Sequence, residues 1–317
     1  MKYVIAHVPC IKCSLFRVID NLNQNVEGVK IVPLQFSIGK LNVSDIWWFV
    51  KHYAHHKDDK GLVLWNDTPT DLEAVRDRLK VNFVDFPKST IFATSKWNAE
   101  MMQRVGMHVD GILPRPVNEK VALKYVNEPK DYDFVVIGQN IITHDKKWFR
   151  ESPFIYIDGD RVIFDKKGMS VVKRVKGKKI VVAEESFADF KPNTLSEDDK
   201  YRLLARARFY LATSRAEGFG MPPVEAMAVG TVPIFNECHA YGEWLKGLSV
   251  KCQGYEVIDT PAGAHRFWLY DEKEYLELTE YAKGMGKEEY EDLRAKVMEH
   301  AKMFYAKNVW QTLKLFL

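Results

Sequence analysis

Short apolar runs and helix-forming stretches alternate along almost the whole chain, and this alternation limits the fold more than any other feature. "KYVIAHVP", "GLVLWND" and "STIFATS" read as buried strands. After the third, Ser95 is placed to cap a helix in which Trp97, Met101 and Val105 recur at four-residue spacing before Gly106 stops it. The two prolines of "GILPRPVNEK" then remove backbone donors and impose a stiff connector over roughly residues 113–130. A second series begins with the strand "DYDFVVIG" and continues through a helix-like "HDKKWFRES", the strand "FIYIDGD" and the strand-rich portion ending in "KIVVAEE". A helix capped by Ser196, with Asp199 three residues on, leads into the strand "FYLATS". Two β/α series joined by a proline connector imply an α/β protein of two doubly wound domains. The boundaries expected are 1–118 and 119–300, with a last helix in 301–317 packing back on the first domain.

At 317 residues and 46% hydrophobic, the chain can bury two cores. No secretory leader pattern and no apolar run of membrane-spanning length is read, which points to the cytoplasm. A net charge of +3 is too small to imply nucleic acid. The basic run "DKKGMSVVKRVKGKK" reads as a solvated loop. Four cysteines do not make a disulfide scaffold, so the thiols are expected to be reduced. "DIWWFVKHYAHH" places Trp47, Trp48, Phe49 and Tyr53 beside Lys51, and either buries these aromatics or forms a peripheral membrane contact. His52, His55 and His56 have helical spacing but lack neighbouring carboxylates or cysteines, so no metal site is expected of them.

The chemistry concentrates in "SRAEGFGMPPVEAMAVGTVPI", Ser214 to Ile234. Ligands of doubly wound sheets bind beyond the carboxyl ends of strands, and "FYLATS" delivers this stretch to such an end. Ser214 and Glu217 enter a loop in which Gly218 and Gly220 allow close backbone approach. Pro222 and Pro223 then start a helix whose N-terminus favours an anionic group such as a diphosphate. Glu225, in its first turn, has the wrong sign for phosphate but can accept two hydrogen bonds from a pair of ribose hydroxyls.

This stretch resembles the Glu-x7-Glu signature of retaining glycosyltransferases of the GT-B fold, most closely family 4. The resemblance extends more loosely over most of the chain. "TSKWNAEMMQRVGMHVDGILPRPVN" resembles the end of that family's N-terminal domain, "VVIGQNIITHDKKWF" the first strand and basic loop of its C-terminal domain, and "FIYIDGD" its second strand. It implies two Rossmann-like domains facing across a cleft, a nucleotide-diphosphate sugar as co-substrate with no other cofactor and no metal, and a glycan, lipid or protein acceptor. Carried over by residue, it implies that Glu225 binds the ribose and Glu217 the transferred sugar. Gly218, Phe219, Gly220, Ser214 and Gly138 would lie at the donor, and either Lys146 or Lys147 would hold the diphosphate. Where the family often has an arginine, Gln139 follows Gly138. Asn66 and Asp67 occupy the position of a polar residue facing the donor sugar, so Asp67 is either a catalytic contact or a helix cap for "DTPTDLEAV".

Other features suggest other chemistries. Asp158-Gly159-Asp160 imitates a metal-binding Asp-x-Asp, but its position after a strand makes a hairpin turn the plainer reading. Cys10-x-x-Cys13 has the spacing of a redox pair, although two ordinary thiols account for it. An epimerase or hydrolase on the same fold, or a non-catalytic sugar-nucleotide-binding module, would present the same pocket.

Overall fold

The computed structural model describes residues 4–7, 14–27, 29–31, 41–45, 58–68, 70–79, 83 and 85–317. Cys10, Cys13, Trp47, Trp48, Phe49, Lys51, His52, Tyr53, His55 and His56 lie outside them. The chain divides into two compact units, Met1–Lys120 with Lys302–Leu317, and Val121–Ala301.

The first unit is built on six parallel strands: β1 (Val4–His7), β2 (Val29–Ile31), β3 (Leu41–Asp45), β4 (Val63–Asp67), β5 (Thr90–Ala93) and β6 (Gly111–Ile112). They lie in the order β2-β1-β3-β4-β5-β6. Trp65 and Phe92 from the sheet share one core with Val18, Ile19 and Leu22 of the Ser14–Asn25 helix and with Val309 and Leu313 of the Ala306–Leu313 helix. The returning C-terminal segment is tied to the strand connector: Val117 N donates to the Phe304 carbonyl at 2.7 Å and Ala306 N to Glu119 at 2.9 Å. Ser95 caps the Lys96–Arg104 helix by accepting from Asn98 N.

The second unit carries β7 (Tyr132–Ile137), β8 (Ile141–Thr143), β9 (Ile155–Asp158), β10 (Arg161–Phe164), β11 (Lys179–Val182), β12 (Ala207–Ala212), β13 (Val232–Asn236), β14 (Leu248–Val250), β15 (Cys252–Thr260) and β16 (Gly263–Tyr270). Its parallel sheet has the order β11-β7-β12-β13-β14. The chain steps from β7 outward to β11 and then back to β12, so the order reverses between β7 and β12. That reversal opens a crevice beyond their carboxyl ends.

Several expectations are corrected in this unit. "FIYIDGD" contributes not a second parallel strand but β9 of a separate antiparallel sheet, β8-β10-β9. The "HDKKWFRES" stretch forms only one 3-10 turn, Lys146–Trp148. Asp158-Gly159-Asp160, by contrast, is the hairpin turn expected of it, joining β9 to β10 with Gly159 at φ +62°. Phe154, Val162 and Phe164 of this accessory layer pack with Ile258 and Phe267 of the β15–β16 hairpin. Cys238 and Cys252 are joined in a disulfide rather than reduced. Asn236 and Val250 pair at the ends of β13 and β14, and this brings the two cysteines just beyond them into reach of each other.

Candidate functional site

The signature loop leaves β12 at the order reversal, and its backbone is held carbonyl by carbonyl. The Thr213 carbonyl accepts from the Tyr270 hydroxyl at 2.9 Å, and the Arg215 carbonyl from Trp268 N at 2.9 Å. Between them the Ser214 carbonyl accepts from Asn236 Nδ2 at 3.0 Å and lies 2.9 Å from His239 Nε2. The loop grips the segment before the Met169–Arg174 helix in turn. Arg215 N and Ser214 Oγ donate to the Lys166 carbonyl at 2.7 and 3.1 Å, and Thr213 Oγ1 donates to that of Lys167 at 2.7 Å. Only a glycine fits between these segments: Gly168 sits at φ +64°, and a Cβ there would lie 2.3 Å from the Thr213 carbonyl oxygen.

This pinning brings Lys167 Nζ into an ion pair with Glu217, a residue only 8% exposed. Burial alone pushes the Glu217 carboxyl up, but the charges of Lys167 and Lys166 and the Lys167 hydrogen bond outweigh it and hold the group at about 2. Tyr241 reaches the same carboxylate, Oη to Oε1 at 3.5 Å. Its ring fills the space beside Gly220, where φ is +87° and a Cβ would lie 2.5 Å from Tyr241 Cε1. His239, the one non-glycine residue at positive φ among those described, packs on Tyr241 with ring centroids 4.5 Å apart and the rings tilted by 58°. Burial holds its imidazole down at about 4, so it is neutral at pH 7. Strained backbone of this kind persists where the surroundings over-determine it.

Gly220 precedes the Met221–Ala228 helix, which begins on Met221, Pro222 and Pro223. Glu225 is the fifth residue of this helix, past the first turn in which the sequence placed it, and is 1% exposed; its Oε1 meets Lys200 Nζ at 2.5 Å, while its Oε2 is buried without a hydrogen-bond partner among the described residues. An orphaned carboxylate oxygen is a costly feature unless some donor satisfies it.

Residues 190–285, which contain this loop and helix, match the family of glycosyl transferases group 1. The chain is 34% identical over 257 residues to "Putative glycosyltransferase ORF313" of Acidianus filamentous virus 1, covering 75% of this chain and 78% of that one. The chain belongs to this glycosyltransferase family. It is also 29% identical over 309 residues to "Putative glycosyltransferase 41" of Sulfolobus islandicus filamentous virus, covering 95% of this chain and 83% of the relative. In structure the glycosyltransferase is similar to Anabaena HepE in complex with UDP and glucose, with TM-score 0.57, 12% identity and 99% and 98% of the two chains covered. It is likewise similar to a sucrose-phosphate synthase from Thermosynechococcus elongatus, with TM-score 0.53, 11% identity and coverage of 87% and 72%. These likenesses establish a GT-B fold.

The residues singled out in the sequence are only partly gathered at this site. Ser214, Glu217, Gly218, Phe219, Gly220 and Glu225 lie on the β12 loop and the helix after it, and Gly138 follows β7 on the other side of the order reversal. Phe219 is fully buried and packs on Trp244, so its side chain is a structural anchor. Lys146 and Lys147 are exposed on the accessory layer's 3-10 turn, where Lys147 pairs with Asp145 at 2.6 Å. The lysines the glycosyltransferase places on its two glutamates are Lys167 and Lys200, which sequence reasoning missed. The signal for Lys167 was the Lys-Lys-Gly before "MSVV": the 139–164 segment separates this basic turn from β7 along the chain, and the fold returns Lys167 to the side of Gly138 at the end of β7.

In the first unit, Asp67 ends β4 and is held on both oxygens, by Arg115 Nη2 at 2.8 Å and Thr94 Oγ1 at 3.1 Å. It is not the helix cap. Asp71 is, accepting from Ala74 N at 2.9 Å before the Leu72–Leu79 helix. Asn66 is fully buried, and its side-chain amide has no hydrogen-bond partner among the described residues.

Among the described residues no helix is long and apolar enough to cross a membrane.

Proposed function

We propose that this glycosyltransferase moves a sugar from a nucleotide-diphosphate sugar to a hydroxyl-bearing acceptor with retention of anomeric configuration, as a family 4 type enzyme, without a metal. The observation that carries the reading is the buried Glu217–Lys167 pair at the sheet's order reversal, followed on the Met221–Ala228 helix by the half-satisfied carboxylate of Glu225. Glu225 Oε2 would accept from the ribose, and Glu217 would orient the transferred sugar. The diphosphate would lie between them. Pro222 and Pro223 have no amide to offer it, so the charge of Lys167, with Lys166 behind it, carries more of its stabilisation than the helix end does. HepE, crystallised with UDP-glucose, supports uridine diphosphate sugars as the first donors to try.

In this reading the bond from the anomeric carbon to the diphosphate oxygen breaks through an oxocarbenium-like state. The acceptor hydroxyl bonds to the same face of the sugar, and its proton passes to the departing phosphate oxygen. Glu217, ionised at any working pH, favours the positive character that develops on the sugar. Asp67 is already engaged by Arg115 and Thr94, which supports a role in shaping the end of β4 rather than in the transfer itself.

The test is incubation with a panel of uridine, guanosine and adenosine diphosphate sugars and hydroxylated acceptors. Nucleoside diphosphate released only with an acceptor, and a product of unchanged anomeric configuration by NMR, is the outcome expected. Release at the same rate without any acceptor would make the protein a hydrolase.

A further inference from the structure

The three consecutive carbonyls of Thr213, Ser214 and Arg215 are supported from two sides. One support is the Asn236–Tyr241 segment after β13, which supplies Asn236 and His239 to Ser214 and Tyr241 to Glu217. The other is β16, which supplies Trp268 N to Arg215 and the Tyr270 hydroxyl to Thr213. Cys238 lies inside the first support, between Asn236 and His239. Cys252 opens β15, whose hairpin partner is the second. We propose that the Cys238–Cys252 disulfide is a positioning clamp that locks these two supports together and so holds the donor-binding loop in register with Lys167.

Noncovalent ties also run between the same segments, beginning with the pairing of β13 with β14 and the Cys238 sulfur 3.5 Å from the Leu269 carbonyl oxygen of β16. Glu237 N donates to the Val250 carbonyl at 2.9 Å, and the Glu237 carboxylate meets Ser249 Oγ at 2.6 Å and Lys251. Lys251 is 81% exposed, and an ion pair in that setting adds little. Cys238 itself is 1% exposed and packed, its amide donating to Asn236 Oδ1 at 3.3 Å, so it sets the turn that brings His239 over the Ser214 carbonyl. Among the described residues the disulfide is the one covalent cross-link, and it adds to these ties between the two walls of the loop. Lys167 follows, because the Ser214 and Thr213 hydroxyls and Arg215 N fix the Lys166 and Lys167 carbonyls. Losing the clamp loosens the Glu217–Lys167 geometry without touching any group that meets the donor.

The function of the clamp rests on the nucleotide-sugar reading; its mechanics do not, and the experiment separates them. Amide hydrogen exchange is measured on the oxidised protein, on Cys252→Ser, which leaves Cys238 in place, and on wild type treated with a dithiol. The dithiol supplies the two electrons and two protons that make both cysteines thiols, and closes to its own cyclic disulfide. The expected result is exchange at least about tenfold faster in both 213–220 and 236–244, in the variant and in the reduced wild type alike, with the β7 and β11 amides unchanged. UDP binding by calorimetry should weaken by a similar factor in both, and dithiol should change nothing further in Cys252→Ser. Faster exchange in 236–244 alone, a uniform rise across the second unit, or a lower melting temperature with unchanged 213–220 exchange would overturn the clamp. Should Cys252→Ser fail to fold, the reduced wild type supplies the same comparison. If oxidised wild type binds neither UDP nor the other nucleoside diphosphates, the nucleotide-sugar reading fails, while the exchange pattern still decides the clamp.

Discussion

Replacing Lys167 with alanine should cost far more than a surface lysine does, and the cost should depend on pH in one direction. The Glu217 carboxyl is held at about 2 against an ordinary 4.5. At about 1.36 kcal/mol per pKa unit, the folded state favours the ionised form by roughly 3 kcal/mol more than the unfolded chain does. Because the folded value is depressed, this contribution is fully present above about pH 4.5 and is lost as the pH falls through that value toward 2. Lys167→Ala removes the principal charge opposing burial and strands a carboxylate that is only 8% exposed. Breaking a buried pair from one side costs about 3 to 5 kcal/mol. Glu217→Gln, a stand-in for the protonated carboxyl at every pH, should cost roughly 3 kcal/mol at pH 7, the contribution of ionisation that it removes. Equilibrium urea unfolding at pH 7 and pH 3 measures both variants. The gap between wild type and Lys167→Ala should be largest at pH 7 and shrink by pH 3. A variant as stable as wild type at pH 7, or a gap independent of pH, would refute the claim that Lys167 sets the charge state of Glu217.

Two further outcomes follow from the geometry. Burial holds the His265 and His239 imidazoles at about 4, below their ordinary 6.5, so stability they contribute above pH 6.5 drains away as the pH falls from 6.5 toward 4; the melting temperature of His265→Gln should fall less over that window than that of wild type. Transfer should survive EDTA, since Asp158 is occupied by Ser186 and Arg161 and Asp160 by His144; complete loss restored by Mn²⁺ or Mg²⁺ would return a metal to the mechanism.

Local pattern carried the parts of this protein that local physics decides. The glycines, the prolines and the two glutamates of residues 214–234 mark a strand end, a close turn and a helix start whatever surrounds them. The capping serines Ser95 and Ser196 act within three residues of themselves, and both cap as their sequences imply. The accessory layer was harder because β9 and a parallel strand are both apolar; the distinguishing mark is that β9 buries only Ile155 fully, whereas β12 is a nearly continuous buried run and β7 is buried over Phe134–Val136. Lys167 was hidden by context. A lysine beside a glycine reads as solvated until the 139–164 segment is folded aside and the loop at Thr213 closes over its carbonyl. The Cys238–Cys252 pairing depends on β13 lying beside β14, and the cradle of carbonyls on the separate β15–β16 hairpin meeting the β12 loop, which no spacing in the chain encodes.

Calorimetry on three proteins tests most directly whether one surface holds both ends of a nucleotide-diphosphate sugar. Wild type, Glu225→Ala and Glu217→Gln are each titrated with UDP and UDP-glucose, and with the guanosine and adenosine counterparts. Wild type should bind one nucleotide series. Glu225→Ala should weaken the nucleoside diphosphate and the nucleotide sugar alike, by about 1.5 to 3 kcal/mol, as loss of a charge-assisted contact does. Glu217→Gln should leave the nucleoside diphosphate nearly unchanged while its single-turnover transfer collapses. Equal nucleotide affinity in wild type and Glu225→Ala, or a loss of nucleotide affinity in Glu217→Gln that matches its loss of rate, would contradict the assignment of the two glutamates and with it the proposed donor site.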